Sequence, residues 1–537
     1  MACAYKVAAS KYFPYVILLT ILVVSVVLRT YPYLINHHVF EVGFDTGYYQ
    51  SVFLQYSESA YWNKLPAYPQ MADNEAFPME PGLYIVLTFV YKLGPQDMNL
   101  FFRYFLPSLF GVLIPLGAFM LMYRHSRGNT WLATLAAALV ALSYVQVDAI
   151  NASYYRQILS TFTLLIALWK FDLIFGAGGK RGMAFMGLIL ATTLAFHRAG
   201  LYIFMMILVA SMLLNQYRGL TDRNKNAIKV LALAILFSLP MLLPTLDYQF
   251  NTILDIIVNS QKGIAQQFND GINYQGGGVP EYFSRSTVLK SYIHFFPFIF
   301  ACCLLGAFAS IRDQQRRPLL LGLAILLVYI GFWFTFGNRL LLVMDLLVIF
   351  FCCFALLYVH RNKWLQRRKI ANLVTLIIVI LMLIAPANFV LQAQEDKVPI
   401  IHNNLEGADW LTENVPIEGT LIFAPDYLSV ALLQLGYRVA MLDYDLSINR
   451  SHPVYVDETF IVQAPSNTSY LDSFFEQYPW ASDLDIYVIW GTRETYAALA
   501  NTLIMVPIDD YENSSWFELQ YSGYAEIANI YRYSGLE

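Results

Sequence analysis

The sequence is dominated by about eleven apolar segments of helix length, and a membrane-spanning helix needs about 20 such residues. Hydrophobic residues make up 58% of the chain and charged residues only 13%, about half the ~25% that soluble domains carry. A soluble fold cannot hide that much apolar surface, whereas a bilayer accepts it. The sequence therefore predicts a polytopic α-helical membrane protein. Its apolar segments lie near 14–28, 98–123, 130–147, 158–175, 183–197, 200–214, 228–246, 291–311, 318–337, 340–359 and 370–391.

Two N-terminal segments need separate interpretation. Lys6 and Lys11 precede the first apolar run, and no small-residue cleavage site follows it, so we expect a retained helix rather than a removed signal peptide. Segment 82–92 is apolar but too short to span the bilayer comfortably. We predict that it forms an interfacial or re-entrant helix.

The basic residues between the apolar segments fall in every second loop, and short basic loops stay in the cytoplasm. This alternation predicts a cytoplasmic N-terminus, with the long loop 31–97, the loop 247–290 and the C-terminal region all facing outward. The predicted domains are a membrane domain, 1–394, and an extracytoplasmic domain, 395–537. The five basic clusters are Arg124/Arg127, Lys180/Arg181, Arg218/Arg223/Lys225/Lys229, Arg312/Arg316/Arg317 and Arg361/Lys363/Arg367/Arg368/Lys369.

The C-terminal region changes character and alternates short apolar strands with helical segments, which predicts a small α/β domain. It carries no GxGxxG after its first strand and none of the five cysteines, so neither nucleotide binding nor disulfides are expected there. We expect no nucleic-acid partner. The predicted strands are 421–424, 486–490, 516–519 and 527–533, and the predicted helices are 428–435 and 494–503.

Asp45 is the first candidate for chemistry. It lies just past the outer end of the first helix, flanked by glycine and aromatic residues. A carboxylate there can bind a divalent cation or accept a proton from an acceptor group. The alternative is a solvated loop aspartate that caps a short helix.

The second group of candidates lies at and just after the end of the third apolar segment, and it includes one residue late in the bundle. Asp148 ends the third predicted helix, with Arg156 close behind it. Arg339 stands between two strongly apolar helices, and a guanidinium fits phosphate oxygens with its planar fork. Arginines on the outward side oppose the usual charge bias. The alternatives are an interfacial carboxylate for Asp148 and a snorkelling arginine for Arg339.

Two further outward segments carry candidates. His197 and Arg198 form another outer turn, for which the alternative is a polar helix cap. Loop 247–290 contains a Gly276-Gly277-Gly278 run and Glu281, and long loops of this kind are often lids or binding loops. Partial disorder is the alternative for that loop.

Taken together, these features resemble the GT-C membrane glycosyltransferases, such as oligosaccharyltransferase catalytic subunits, protein mannosyltransferases and aminoarabinose transferases. The resemblance rests on the early aspartate in a long first loop, the Pro-Gly-Leu-Tyr segment 81–84, the aspartate after the third helix, the late outward arginine and the outward α/β tail. It implies transfer of a sugar from a polyprenyl phosphate or pyrophosphate donor to a glycan, lipid or protein acceptor on the outer face.

The resemblance also implies roles for particular residues. Asp45 would act as base or as ligand of Mg²⁺ or Mn²⁺, and Asp148 belongs to the second acidic motif and would share that metal. Arg339 would contact the donor phosphate; Arg156 is added for its place beside Asp148. The motif usually has two carboxylates one residue apart, and the first of them is Gln146 here.

The tail departs from the oligosaccharyltransferase pattern. Those enzymes carry Trp-Trp-Asp-Tyr-Gly to grip the acceptor sequon, whereas this chain keeps only Asp426-Tyr427. The missing tryptophans argue against oligosaccharide transfer to asparagine.

Two other functions fit a polytopic chain of this kind. The first is a lipid or solute transporter or flippase, although transporters usually place polar residues near the membrane midplane in broken helices. The second is a non-catalytic GT-C-like scaffold, which Gln146 would favour. Whichever of these functions applies, we expect the protein to be integral to the cell membrane or, in a eukaryote, to the endoplasmic reticulum membrane. We expect it to contact membrane lipid.

Overall fold

The computed structural model contains a bundle of mostly apolar helices followed by a small domain built on a mixed β-sheet. The residues it describes are 12–35, 53, 82–94, 100–151, 154–217, 221–242, 297–331, 337–363, 366, 370–424, 432, 437–440, 464–491, 508–523 and 528–535. The predicted architecture, a polytopic helical bundle with a C-terminal α/β domain, is confirmed.

Thirteen helices of the described residues belong to the bundle or lead out of it. They are α1 (Phe13–Ile35), α2 (Gly82–Leu93), α3 (Leu106–His125), α4 (Thr130–Ala141), α5 (Tyr144–Asn151), α6 (Tyr155–Trp169), α7 (Gly179–Phe196), α8 (Arg198–Tyr217), α9 (Thr221–Leu242), α10 (Pro297–Ser310), α11 (Arg317–Gly331), α12 (Gly337–His360) and α13 (Ala371–Asn414).

Five helical stretches of the described residues are long and apolar enough to cross a membrane. They are Phe13–Leu34, Phe101–His125, Arg198–Tyr217, Leu340–His360 and Ala371–Asn388. Large apolar side chains on the outer helices are exposed, for example Val16, Leu19 and Val23 on α1 and Leu376 on α13. An exposed apolar surface of this kind is stable in contact with lipid but not in contact with water, so the protein is integral to a membrane.

The central helix of the bundle is α12, whose apolar window is buried along its whole length. Two of the other helices, α1 and α3, run in opposite directions. Gly111 of α3 lies against the α1 backbone at Ser25, while Phe119 meets Tyr15, so α3 runs antiparallel to α1. Small residues at such contacts allow the close backbone approach that membrane helices use.

The third predicted helix, 130–147, is broken in the structure. After α4 ends at Ala141, Leu142 and Ser143 leave the regular helix, and α5 restarts at Tyr144. Asp148 therefore lies inside a separate eight-residue helix rather than at the end of a long one. At the break, the Ala141 carbonyl accepts a hydrogen bond from α1 and the Ser143 hydroxyl donates one to α12.

The C-terminal sheet has the order β2-β1-β3-β5-β4. Strand β1 pairs in parallel with β2 and β3, whereas β5 is antiparallel to both β3 and β4. The four predicted strands correspond to β1, β3, β4 and β5, and β2 is additional. The strands are β1 (Thr420–Phe423), β2 (Arg438–Ala440), β3 (Asp485–Gly491), β4 (Phe517–Ser522) and β5 (Ala528–Tyr533).

Two helices accompany this sheet among the described residues, α14 (Thr468–Gln477) and α15 (Ile508–Glu512). Leu471 and Phe474 of α14 are buried in the domain core, and Asn467 caps the helix by accepting a hydrogen bond from the Tyr470 amide (3.1 Å). The sequence analysis did not predict α14. The predicted helices 428–435 and 494–503 lie outside the described residues, apart from Leu432.

Helix α13 connects the bundle to the sheet domain in one uninterrupted element. Its residue Val390 packs with Leu28 of α1 and Val147 of α5, and near its end Trp410 stacks on Tyr521 of β4 (ring centroids 5.6 Å apart). The sheet domain therefore follows α13 beyond the level of α5.

Candidate active site

A buried polar cluster joins α5 to α12. The Ser143 hydroxyl donates a hydrogen bond to Asp345 Oδ2 (2.7 Å), and Gln146 Nε2 donates to the same oxygen (3.0 Å) and to the Leu342 carbonyl (2.8 Å). All three polar side chains are buried, with Asp345 only 3% exposed. A carboxylate in a membrane helix is costly unless it is bonded, so this cluster fixes how the two helices meet.

The cluster also shows that α5 and α12 run antiparallel. Ser143 bonds to Asp345, whereas Gln146, one turn later, bonds to Leu342, one turn earlier. With a rise of about 1.5 Å per residue, Asp148 lies about 3 Å beyond Gln146, and Arg339 lies about 4.5 Å beyond Leu342 in the same direction. The backbone positions of Asp148 and Arg339 are therefore at nearly the same level.

A buried arginine bonds to the start of the same segment. Arg29 of α1 donates from Nη1 to the Ser25 hydroxyl (2.6 Å), to the Ser25 carbonyl (3.2 Å) and to the Ala141 carbonyl (3.3 Å). It is 2% exposed, and its Nη2 has no hydrogen-bond partner among the described residues. Segment 141–146 thus bonds to a buried arginine at its start and to a buried carboxylate through Ser143 and Gln146.

The His197–Arg198 turn joins α7 to α8 and is tightly packed. The His197 carbonyl accepts a hydrogen bond from the Ser160 hydroxyl of α6 (2.7 Å), and His197 Nδ1 accepts one from the Ala199 amide (3.1 Å). The second bond is that of a helix N-cap. Both His197 and Arg198 are buried, at 5% and 9% exposure.

Helix α2 reaches the same turn. Gly82 is buried, and a Cβ added there would lie 2.7 Å from the Ala195 carbonyl oxygen of α7. The Pro-Gly-Leu-Tyr segment therefore brings the end of the first loop close to His197. We refer to α5, the first turns of α6 and α12, and the α7–α8 turn together as the α5 end of the bundle.

The contact at Gly82 gives a prediction about stability. We expect Gly82→Val to lower the melting temperature of the purified protein, because overpacking a close backbone contact costs about 1–3 kcal/mol. Gly94→Ala is the matched control, since a Cβ there would meet the Val90 carbonyl at an ordinary 3.5 Å. Thermal unfolding in detergent measures both variants. Equal melting temperatures would show that α2 does not pack on α7 in this way.

The predicted site residues are distributed as follows. Asp148, Arg339, Arg156, His197 and Arg198 all lie at the α5 end; Arg156 is half-buried in the first turn of α6. The structure gives Asp148 and Arg339 as backbone positions in α5 and in the first turn of α12. Asp45 and Glu281 lie outside the described residues.

The arrangement of helices and sheet is similar to that of two known membrane enzymes. The crystal structure of the Archaeoglobus fulgidus oligosaccharyltransferase, in complex with zinc and sulfate, matches with a TM-score of 0.61 and 16% identity, over 96% of this chain and 72% of that chain. ArnT from Cupriavidus metallidurans, bound to undecaprenyl phosphate, matches with a TM-score of 0.57 and 13% identity, over 97% of this chain and 98% of that chain. Its apo structure matches equally well, at 14% identity.

This chain has a GT-C-like fold. No protein-family model and no curated protein matches the sequence, so the likeness is one of structure. The resemblance that the sequence motifs indicated is thereby confirmed at the level of fold. Because the match covers almost the whole chain, it includes both the helical bundle and the C-terminal domain.

The GT-C-like fold raises the question of a metal ion. Among the described residues, no three His, Cys, Asp or Glu side chains lie close enough to hold one. Gln146 stands where the second acidic motif usually has a carboxylate, and its amide is used as a donor to Leu342 and Asp345.

Two buried charges of this GT-C-like fold were missed by sequence analysis. Asp345 was absorbed into an apolar run in which it is the one charged residue between Arg339 and His360, and Arg29 immediately follows the segment 14–28 that was taken as the first helix. An ionisable residue inside a membrane helix is by default a functional candidate. That signal would have found Asp345, whereas Arg29 lies inside a helix only because α1 continues to Ile35.

Proposed function

We propose that this protein is a GT-C-type glycosyltransferase that moves a sugar from a polyprenyl phosphate or pyrophosphate to a hydroxyl acceptor. The observation that supports the proposal is the antiparallel bonding of α5 to α12, from which the backbone positions of Asp148 and Arg339 are expected at nearly the same level of a GT-C-like fold. A neighbour of that fold, ArnT, binds undecaprenyl phosphate. The proposed acceptor is a hydroxyl-bearing molecule, which can be a glycan, a lipid or a protein.

The reaction we propose is a single displacement at the anomeric carbon. The acceptor oxygen forms the new glycosidic bond, the bond from the anomeric carbon to the donor phosphate breaks, and the electron pair leaves with the phosphate. Asp45 takes the acceptor proton as general base. The Arg339 guanidinium, with Arg156 beside Asp148, stabilises the charge that develops on the departing phosphate.

A divalent cation, Mg²⁺ or Mn²⁺, would be held by Asp45 and Asp148 and would neutralise phosphate charge when bound. The likeness to a zinc-containing oligosaccharyltransferase supports metal use only in general terms. His197, Arg198 and Glu281 are proposed to line the substrate side of the site. The His197 cap and its bond to Ser160 would hold that turn rigid.

The test is a transfer assay with the purified full-length protein. We expect a covalent glycosylated product when polyprenyl-phosphate sugars are supplied with a panel of hydroxyl acceptors, each with Mg²⁺, with Mn²⁺ and with a chelator. Movement of the lipid-linked sugar across sealed vesicles without any product would instead indicate a transporter. Binding of the donor with neither product nor movement would indicate a non-catalytic scaffold.

We further propose that the N-terminus is cytoplasmic and that the α5 end and the C-terminal domain, 395–537, are extracytoplasmic. The five basic clusters support this orientation. In a Cys3→Ser background, we expect a cysteine at Arg127 to react with an impermeant thiol reagent only after the membrane is opened, and one at Ser482 to react before. Four natural cysteines are buried and should stay silent. The reverse labelling pattern would invert the topology.

A further inference from the structure

Asp345 is a buried carboxylate with no role in the proposed reaction. It lies six residues after Arg339 on α12, the most deeply buried of the five candidate spans. Its Oδ2 receives hydrogen bonds from two separate side chains of one other segment, Ser143 and Gln146. Apolar side chains of similar volume would have packed these helices at a lower free-energy cost than a buried carboxylate. The presence of the charge therefore needs an explanation.

The first part of the explanation is geometric. Hydrogen bonds to an ionised acceptor are roughly twice as strong as those between neutral groups. The two bonds at Asp345 hold Ser143 and Gln146 in one register against α12, and that register sets Asp148 level with Arg339. A shift by one helical turn would displace the two by about 5.4 Å, which is more than a phosphate contact tolerates.

The second part is electrostatic. Arg29 is buried against the Ala141 carbonyl, on the segment whose next residues bond to Asp345. Both ionisable side chains are buried, and charges interact more strongly in a medium of low dielectric constant than in water.

We propose that Asp345 is a positioning residue whose negative charge, acting through Gln146 and Ser143, fixes α5 and its Asp148 relative to Arg339. This inference rests on the proposed function for its catalytic readout. The pair is complementary, since Gln146 donates where Asp345 accepts. Two ionised carboxylates at this separation would repel each other, so an ionised Asp345 favours a donor such as the Gln146 amide.

The experiment separates charge from shape. Asp345→Asn keeps the size and one acceptor oxygen but removes the charge, and we expect at least a 10-fold loss of kcat together with a lower melting temperature. For Gln146→Glu we expect losses of kcat and melting temperature at least as large, because a second carboxylate then lies beside Asp345. The double variant Gln146→Glu/Asp345→Asn restores one charge and one donor, and it should recover part of both losses. Recovery stays partial because the Leu342 carbonyl loses its donor.

Met344→Leu is the matched control, a volume-conserving change at the buried neighbouring position, and it should leave kcat and melting temperature close to wild type. Wild-type kcat and KM in Asp345→Asn would overturn the inference, and so would a double variant no better than the worse single variant. Wild-type protein without transferase activity would instead contradict the proposed function. In that case the melting temperatures of the wild type, the two single variants and the double variant still test the pairing of Gln146 with Asp345.

Discussion

Replacing Asp45 by asparagine is expected to abolish sugar transfer while leaving the protein folded in the membrane. Asparagine has nearly the same size and hydrogen-bonding reach, but it can neither accept the acceptor proton nor offer a negative charge to a cation. General-base catalysis contributes about 10²–10⁴-fold, so we expect a loss of that order in kcat. The measurement is product formation from a polyprenyl-phosphate sugar at saturating donor, with melting temperature recorded on the same preparation.

Asp73→Asn is the control for this variant, because it removes a carboxylate from the same predicted outward loop, 31–97. It should keep full activity. Normal turnover by Asp45→Asn would refute the assignment of the base. An equal loss in both variants would indicate that the loop needs net negative charge rather than one specific carboxylate.

The second large effect is expected at Arg339. Lysine keeps the positive charge but loses the planar fork that binds two phosphate oxygens at once. We expect Arg339→Lys to reduce kcat/KM by about 100-fold, the scale of losing one preorganised donor at a developing charge, and Arg339→Ala to reduce it further. Steady-state kinetics over a range of donor concentrations measures both.

Arg198→Lys provides the comparison for Arg339, since Arg198 also lies at the α5 end but in the α7–α8 turn. We expect a smaller change there, and mainly in KM. If Arg339→Lys raised KM for the acceptor and left that for the donor unchanged, Arg339 would not contact the donor phosphate. Arg156 or Arg29 would then be the candidate for the contact with the donor phosphate.

If Arg339 does not contact the donor phosphate, Arg29 is a further arginine to test for that contact. It is buried in the first membrane helix with Nη2 free of hydrogen bonds among the described residues. It donates a hydrogen bond to the Ala141 carbonyl, at the start of the segment whose Ser143 and Gln146 bond to Asp345.

The sequence by itself determined the class of the protein and most of its elements. Every predicted apolar segment has a helix among the described residues, because desolvation of about 20 apolar side chains leaves no other conformation in a membrane. The strands β1, β3, β4 and β5 were likewise predictable, since their apolar runs are short and bounded by turns. The motifs also indicated the GT-C-like fold, although no family model detects it.

The tertiary structure decided what local patterns cannot encode. The break between α4 and α5 is invisible in an apolar run, and the groups at the break bond to α1 and α12, which are distant in the sequence. The pairing of Ser143 and Gln146 with Asp345 joins residues about two hundred positions apart, and no periodicity reports such a contact. Hydrophobic burial fixes which segments become helices, but it is non-directional. The directional bonds of a few buried polar groups set the register that brings Asp148 level with Arg339.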